Sequence, residues 1–202
     1  MVTSYKTIKS TTEGLYKEKG SKFIAIALPV KNKEAIAGHL TAIKKQYYDA
    51  RHHCYAYILG PAAREMRAND DGEPGHSAGD PILGQIKSLG LTNTLVVVVR
   101  YFGGTKLGVG GLINAYKTAA RLALARATVV TRTVTQPITL VFPYAATNEV
   151  MQLVDSFTIN ITAQKFDAGC RLTGEIAVDQ TEALRQKVAL LQNLGTQLTL
   201  II

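Results

Sequence analysis

Five aliphatic residues in a row, Leu95–Val99, run directly into Arg100-Tyr-Phe-Gly-Gly-Thr-Lys-Leu-Gly-Val-Gly-Gly111. Side chains of a strand point alternately to opposite faces, so a half-buried strand alternates apolar and polar residues; an unbroken β-branched run calls for burial on both faces. Glycine tolerates close backbone approach and positive φ, so five glycines between positions 103 and 111 read as a loop. Helical spacing returns from Val109 to about Ala127, with Leu112, Ala115, Ala119 and Ala123 on one side. The chain is thereby committed to a sheet containing a doubly covered strand that hands over to a helix through a glycine loop.

The neighbouring segments supply partners for that strand. Phe23–Val30 reads as a strand, and Asn32 opens a helix carrying Ile36, Leu40, Ile43 and Tyr47 on one face. His53–Leu59 reads as a second strand. A long polar segment, Gly60–Gly79, follows; then Asp80-Pro81 reads as an N-cap and first-turn proline ahead of Ile82, Leu83 and Ile86. Near Thr131–Pro137 the pattern changes. Beyond it Ile138/Leu140/Phe142, Val150/Leu153/Val154, Phe157/Ile159/Ile161/Ala163, Leu172/Gly174/Ile176/Val178, Leu184/Val188/Leu191 and Gln197–Ile202 alternate as β-α-β-β-α-β, the order of a ferredoxin-like split βαβ domain. We therefore expect an α+β protein. Residues 1–133 form a two-layer α/β domain and residues 134–202 a ferredoxin-like domain.

With 47% apolar and 19% charged residues in 202, the chain can bury a sizeable core. Its longest aliphatic run is far too short to span a bilayer, and the first residues, MVTSYKTIKS, lack the apolar region of a secretory signal. Cys54 and Cys170 form no C-x-x-C pair, which favours free thiols and a cytoplasmic location. The net charge of +8 is unevenly placed: residues 1–133 hold 19 Lys/Arg against 9 Asp/Glu, and residues 134–202 hold 4 against 6. Such a field attracts phosphates, nucleic acid, acidic proteins or anionic lipid, although scattered solubility charge reads the same way.

Two loops carry the candidate chemistry. In the first, a helix start offers unpaired N–H groups, Arg100 and Lys106 add full charges, and Asn114, Lys117 and Arg121 share the polar side of the helix. Tyr101 or Phe102 offers a stacking ring if exposed and a core residue if not. Gly103 to Gly108 has the glycine spacing of a Walker loop, but Val109-Gly110 replaces Lys-Ser/Thr; the dinucleotide fingerprint fails at Ile113. Both are excluded, and a tight strand-to-helix turn stands beside an anion or partner site. In the second loop, Asp70, Asp71 and Glu73 suit a magnesium ion and His76 a general base. The same Asp, Gly, Pro and Ser residues equally make turns and caps, or pack on the basic loop. His52-His53-Cys54 alternate sides along a strand and match no zinc spacing, so Cys54 reads as a small buried residue.

Three segments together resemble the IMPACT/YigZ family: Arg51-His-His-Cys-Tyr-Ala-Tyr57, Asp70-Asp-Gly-Glu-Pro-Gly-His-Ser-Ala-Gly79 with Pro81-Ile-Leu83, and Val96-Val-Val-Val-Arg-Tyr-Phe-Gly-Gly-Thr-Lys-Leu-Gly108 running on through Gly110-Gly-Leu-Ile113 to Ala115-Tyr116. The resemblance implies the bacterial type. Its first domain is similar to one shared by ribosomal proteins, elongation factor G and GHMP kinases, and its second is ferredoxin-like. It also implies regulation of translation and nucleic-acid or ribosome binding, with no established catalytic activity. Asp80, Val109 and Asn114 depart from the family pattern, in which Lys or Arg, Thr, and a basic residue are common at those positions. The expected function is thus a non-catalytic, translation-linked regulator that binds RNA, the ribosome or a translation-associated protein, with no membrane, metal or cofactor. Its contacts are Arg100, Gly103, Gly104, Thr105, Lys106, Gly108, Gly110, Gly111, Lys117 and Arg121; Asp70, Asp71, Glu73 and His76 are acidic-loop contributors. The alternatives are a metal-dependent enzyme on a small phosphorylated substrate and a protein–protein scaffold.

Overall fold

The computed structural model describes residues 2–167 and 169–202. It divides into two compact units, Ser4–Arg132 on the one hand and Thr133–Ile202 with residues 2 and 3 on the other.

The first unit contains β1 (Ser4–Ile8), β2 (Thr12–Glu18), β3 (Ser21–Pro29), α1 (Lys33–Gln46), β4 (His52–Leu59), β5 (Glu65–Asn69), α2 (Gly79–Ser88), β6 (Thr94–Tyr101), α3 (Gly108–Ala125) and β7 (Val129–Thr133). Five strands form an antiparallel sheet in the order β2-β3-β6-β4-β5, and β1 pairs with β7. β6 is central and buried from Thr94 through Arg100. Its side chains divide between two cores. Val96 and Val98 pack with Ile82 and Ile86 of α2 and with Leu112, Ala115 and Tyr116 of α3. Leu95, Val97 and Val99 pack with Ile36 and Ile43 of α1. α2 and α3 cover one face of the sheet and α1 the other, one layer more than the two-layer arrangement expected for residues 1–133, because β6 presents apolar side chains to both faces. Asn32 caps α1 as its sequence position suggests: its Oδ1 accepts from the Ala35 amide at 2.9 Å.

The polar segment after Gly60 contains a strand that its composition conceals. β5 is an edge strand with Glu65, Met66 and Arg67 exposed, so no apolar alternation marks it. The turn of chain near Thr131–Pro137 is likewise extended, with Val134 alone separating β7 from β8 (Thr135–Phe142).

In the second unit β8 is followed by α4 (Thr147–Ser156), β9 (Asn160–Phe166), β10 (Cys170–Ala177), α5 (Thr181–Asn193) and β11 (Thr199–Ile201). The sheet order β11-β8-β10-β9 is all antiparallel, which is ferredoxin-like topology. Ile138, Leu140 and Phe142 meet Leu172, Ile176, Val150, Leu153, Leu184 and Val188 in one core. β9 begins at Asn160 rather than Phe157, because Phe157 ends α4 and Thr158 turns the chain with φ +49°. No helix among the described residues is long and apolar enough to cross a membrane.

Because adjacent β6 residues face two different cores, Val97→Asp and Val98→Asp should each bury an unpaired carboxylate and prevent folding. Circular dichroism and thermal melting check this; a folded Val97→Asp variant with an unchanged midpoint would mean that α1 does not seal its face.

Candidate functional site

The end of β6 builds the site. Tyr101 turns to one side, where its hydroxyl donates to Asp49 Oδ1 at 2.7 Å; this bond, followed by burial, pushes the phenol up to about 12. Phe102 emerges 56% exposed. At Gly103 the chain crosses the β2–β3 turn so closely that a Cβ would overlap the backbone of Gly20 and Ser21. The Gly103 amide donates to Ser21 Oγ at 3.1 Å. Gly104 and Gly108 adopt φ of +87° and +71°. Thr105 and Lys106 are exposed between them, and Gly110 and Gly111 lie in the first turn of α3, Gly111 against the Leu107 side chain. No side chain caps that turn.

The acidic loop lies against this junction. Asp70 Oδ1 accepts from the amides of Ala78 at 2.9 Å and Gly79 at 2.8 Å, and its Oδ2 accepts from His76 at 2.9 Å. Burial pushes the carboxyl up, but these amides outweigh it and hold the pKa below the ordinary value. Asp70 therefore caps α2 from outside. Asp80, the expected cap, lies within the first turn and instead pairs with His76 at 2.6 Å, whose imidazole pKa its hydrogen bond raises. Asp71 accepts from the His53 amide at 2.7 Å and lies 3.6 Å from the Lys44 ammonium.

Glu73 reaches furthest in. Its Oε1 accepts from Arg100 Nη1 at 2.6 Å and from the Tyr116 hydroxyl at 2.7 Å, and both members of the ion pair are buried. The Arg100 guanidinium also stands 5.5 Å from the Phe23 ring centroid and 5.7 Å from that of Phe102. Behind Tyr116, Cys54 Sγ lies 3.3 Å from the phenol oxygen and 3.0 Å from the Asp70 carbonyl. Burial pushes the Cys54 thiol up to about 12 and raises the Tyr116 phenol as well, so neither ionises at neutral pH.

These contacts also correct the sequence reading of the two loops. Arg100 is a buried structural cation whose charge faces Glu73, not a free phosphate ligand. Asp70, Asp71 and Glu73 point their oxygens at different partners, so the magnesium alternative lacks a convergent ligand set; among the described residues no three His, Cys, Asp or Glu side chains gather to hold a metal. The two loops do meet. Between them lies a cavity of about 420 Å³ lined by Arg51, His52, Glu73, Arg100 and Lys106, with Pro74, Phe102, Leu107, Gly108, Val109 and Leu112 as its remaining wall. Lys117 and Arg121 are exposed on α3 outside this lining, Lys117 about 13 Å along the helix from Gly108. Arg51 was not singled out from the sequence. It reaches the cavity because β4 pairs with β6 in a register that sets His52 opposite Arg100.

The Impact N-terminal domain matches residues 19–124, a span containing both loops and the cavity. The chain belongs to the IMPACT family. It is similar to the IMPACT family member YigZ of Escherichia coli (strain K12), 34% identical over 153 residues, which are 73% of this chain and 75% of that protein. An IMPACT family member of Haemophilus influenzae is 31% identical over 84% of each chain. With the IMPACT family member YvyE of Bacillus subtilis (strain 168) identity rises to 43%, over 57% of this chain and 54% of YvyE, so the match spans about half of that relative. Among solved structures, the crystal structure of a hypothetical protein superposes with a TM-score of 0.77 at 27% identity, covering 100% of this chain and 99% of the other. The IMPACT segment thus coincides with the buried Arg100–Glu73 pair and the two loops it ties together.

Two outcomes follow from this geometry. Glu73→Ala leaves a buried guanidinium without its carboxylate and should cost about 3–5 kcal/mol in denaturant unfolding, whereas the double variant Glu73→Met/Arg100→Met should cost less than the single. Asp70→Ala should cost about 1–3 kcal/mol. Since the folded pKa of Asp70 is depressed, that difference should be full above the ordinary carboxyl pKa of 3.8 and vanish as pH falls through the lower folded value; a difference constant from pH 7 to pH 2 contradicts the assignment.

Proposed function

We propose that this chain is a non-catalytic, translation-linked regulator that docks on RNA, the ribosome or a translation factor through the basic surface of its glycine-rich loop and α3. One observation carries the proposal. Lys106, Lys117 and Arg121 are exposed along a single strand–loop–helix connection, and among the described residues none of them pairs with a carboxylate. The acidic-loop carboxylates beside them are turned to other partners, Asp70 to amides, Asp71 to His53 and Lys44, and Glu73 to Arg100 and Tyr116. Such cations beside an uncapped helix start favour a polyanion. Family membership supports the link to translation, since the resemblance to the IMPACT/YigZ family implies that role. Residues 1–133 supply the docking domain in this reading and the ferredoxin-like residues 134–202 a second contact surface. The absence of a convergent carboxylate set among the described residues weighs against the metal-dependent enzyme.

Retention of the chain on ribosomes or structured RNA should fall steeply with salt and be abolished by nuclease when the partner is RNA. Lys106→Ala/Lys117→Ala should reduce the slope of log affinity against log salt by about 1.4–1.8, two phosphate contacts' worth. An affinity that is the same at low and high salt removes the electrostatic mechanism.

A further inference from the structure

The cavity between the two loops has a divided lining. Arg51 and Lys106 are exposed cations at its edge, and Arg100 closes its interior. Phe102, Leu107 and Val109 form an apolar wall, with Phe102 56% and Val109 53% exposed. One carboxylate, Glu73, faces three cations, and that carboxylate already serves Arg100 and Tyr116. A guanidinium carries five N–H donors. Arg100 gives Nη1 to Glu73, while its Nε–H is buried with no acceptor among the described residues. A buried donor left unpaired is costly and calls for a partner.

These features select the chemistry of the occupant. A lone inorganic anion would satisfy the cations but leave the phenyl ring of Phe102 and the apolar wall in water. A purely apolar ligand would strip water from Arg51 and Lys106 without replacing it. An anion attached to a flat ring meets both demands, and about 420 Å³ lies at the lower end of small-ligand cavities, enough for one such unit. The start of α3 at Gly108, which lines the cavity and has no capping side chain, adds donors for the anionic end.

We propose that this cavity is a single-nucleotide subsite, with the phosphate held by Lys106, Arg51 and the first turn of α3 and the base laid against Phe102. This deepens the reading of the glycine-rich loop as a polyanion-docking surface and rests on it where the nucleotide belongs to an RNA strand. A free 5′-mononucleotide presents the same chemistry. The two sources are separated by the test.

The full chain is titrated against a short fluorescent single-stranded oligoribonucleotide, with AMP and inorganic phosphate as competitors, and AMP binding is also measured directly by calorimetry. Phe102→Leu keeps apolar bulk but removes the ring. It should weaken the bound probe by about five- to hundredfold without changing the salt slope, the loss of one stacked base. Lys106→Ala should weaken it and lower the slope. Lys45→Ala, exposed on α1 at the opposite face of the sheet, should leave AMP binding unchanged. RNA binding that depends on Phe102 and that AMP does not displace assigns the subsite to a strand; AMP binding that depends on Phe102 assigns it to a free nucleotide, even if RNA fails to bind and the docking proposal falls. If RNA binds the wild type and Phe102→Leu binds it equally well, the subsite is overturned while the docking proposal stands. Inorganic phosphate competing as strongly as AMP overturns it too, since the ring then contributes nothing. Binding of neither probe at low salt overturns both. Melting curves confirm that Phe102→Leu is folded; should it be destabilised, Val109→Glu places a repelling charge on the same wall at an exposed helix start that favours acidic residues, and should abolish binding. Unchanged binding by a folded Val109→Glu variant also overturns the subsite.

Discussion

The buried ion pair between Arg100 and Glu73 ties the acidic loop to the strand-to-helix junction. Arg100 ends the central strand, Glu73 belongs to a loop of turn-forming residues, and Tyr116 rises from α3 to share the same carboxylate oxygen. A guanidinium and a carboxylate taken out of water lose several kcal/mol of hydration each, and only close, hydrogen-bonded contact offsets it. The pair therefore tolerates little displacement. It holds the acidic loop against the strand-to-helix junction and closes the interior of the cavity that lies between them.

Around that pair, the local polar chemistry is directed inward. Asp70 terminates α2, Asp71 holds the start of β4, and the Cys54 thiol and Tyr116 phenol stay protonated under burial. A loop that resembles a catalytic constellation in sequence is a set of caps and braces in space. The consequence for function lies in what it leaves free. Among the described residues Lys106, Lys117 and Arg121 form no ion pair, and Asp70, Asp71 and Glu73 are turned to other partners.

Parts of this site were legible before any coordinates. Asn114, Lys117 and Arg121 could be placed on an exposed side because the 3.6-residue period of α3 separates them from Leu112, Ala115 and Ala119. The role of Arg100 was not legible. Its sequence neighbours, an apolar strand and an aromatic, say that it is near the core, but its partner stands 27 residues away. The cap of α2 was misread for the same reason: Asp80 has the local signature, yet Asp70 reaches the amides through a folded loop. The exposure of Phe102 was decided only by the loop's exit from β6, and Arg51 reached the cavity only through the register of β4 against it.

What the chain's sequence determined by itself was periodicity. An unbroken aliphatic run at Leu95–Val99 demanded a doubly covered strand, and alternation after Ile138 demanded a half-covered sheet, because side-chain direction along a strand is set by backbone geometry alone. Family membership was likewise carried by contiguous residues. Tertiary structure decided which charges are free. Whether a lysine or a carboxylate acts on a partner depends on what lies within a few ångströms of it, and those neighbours are set by strand register and loop closure over tens of residues, which no local pattern encodes.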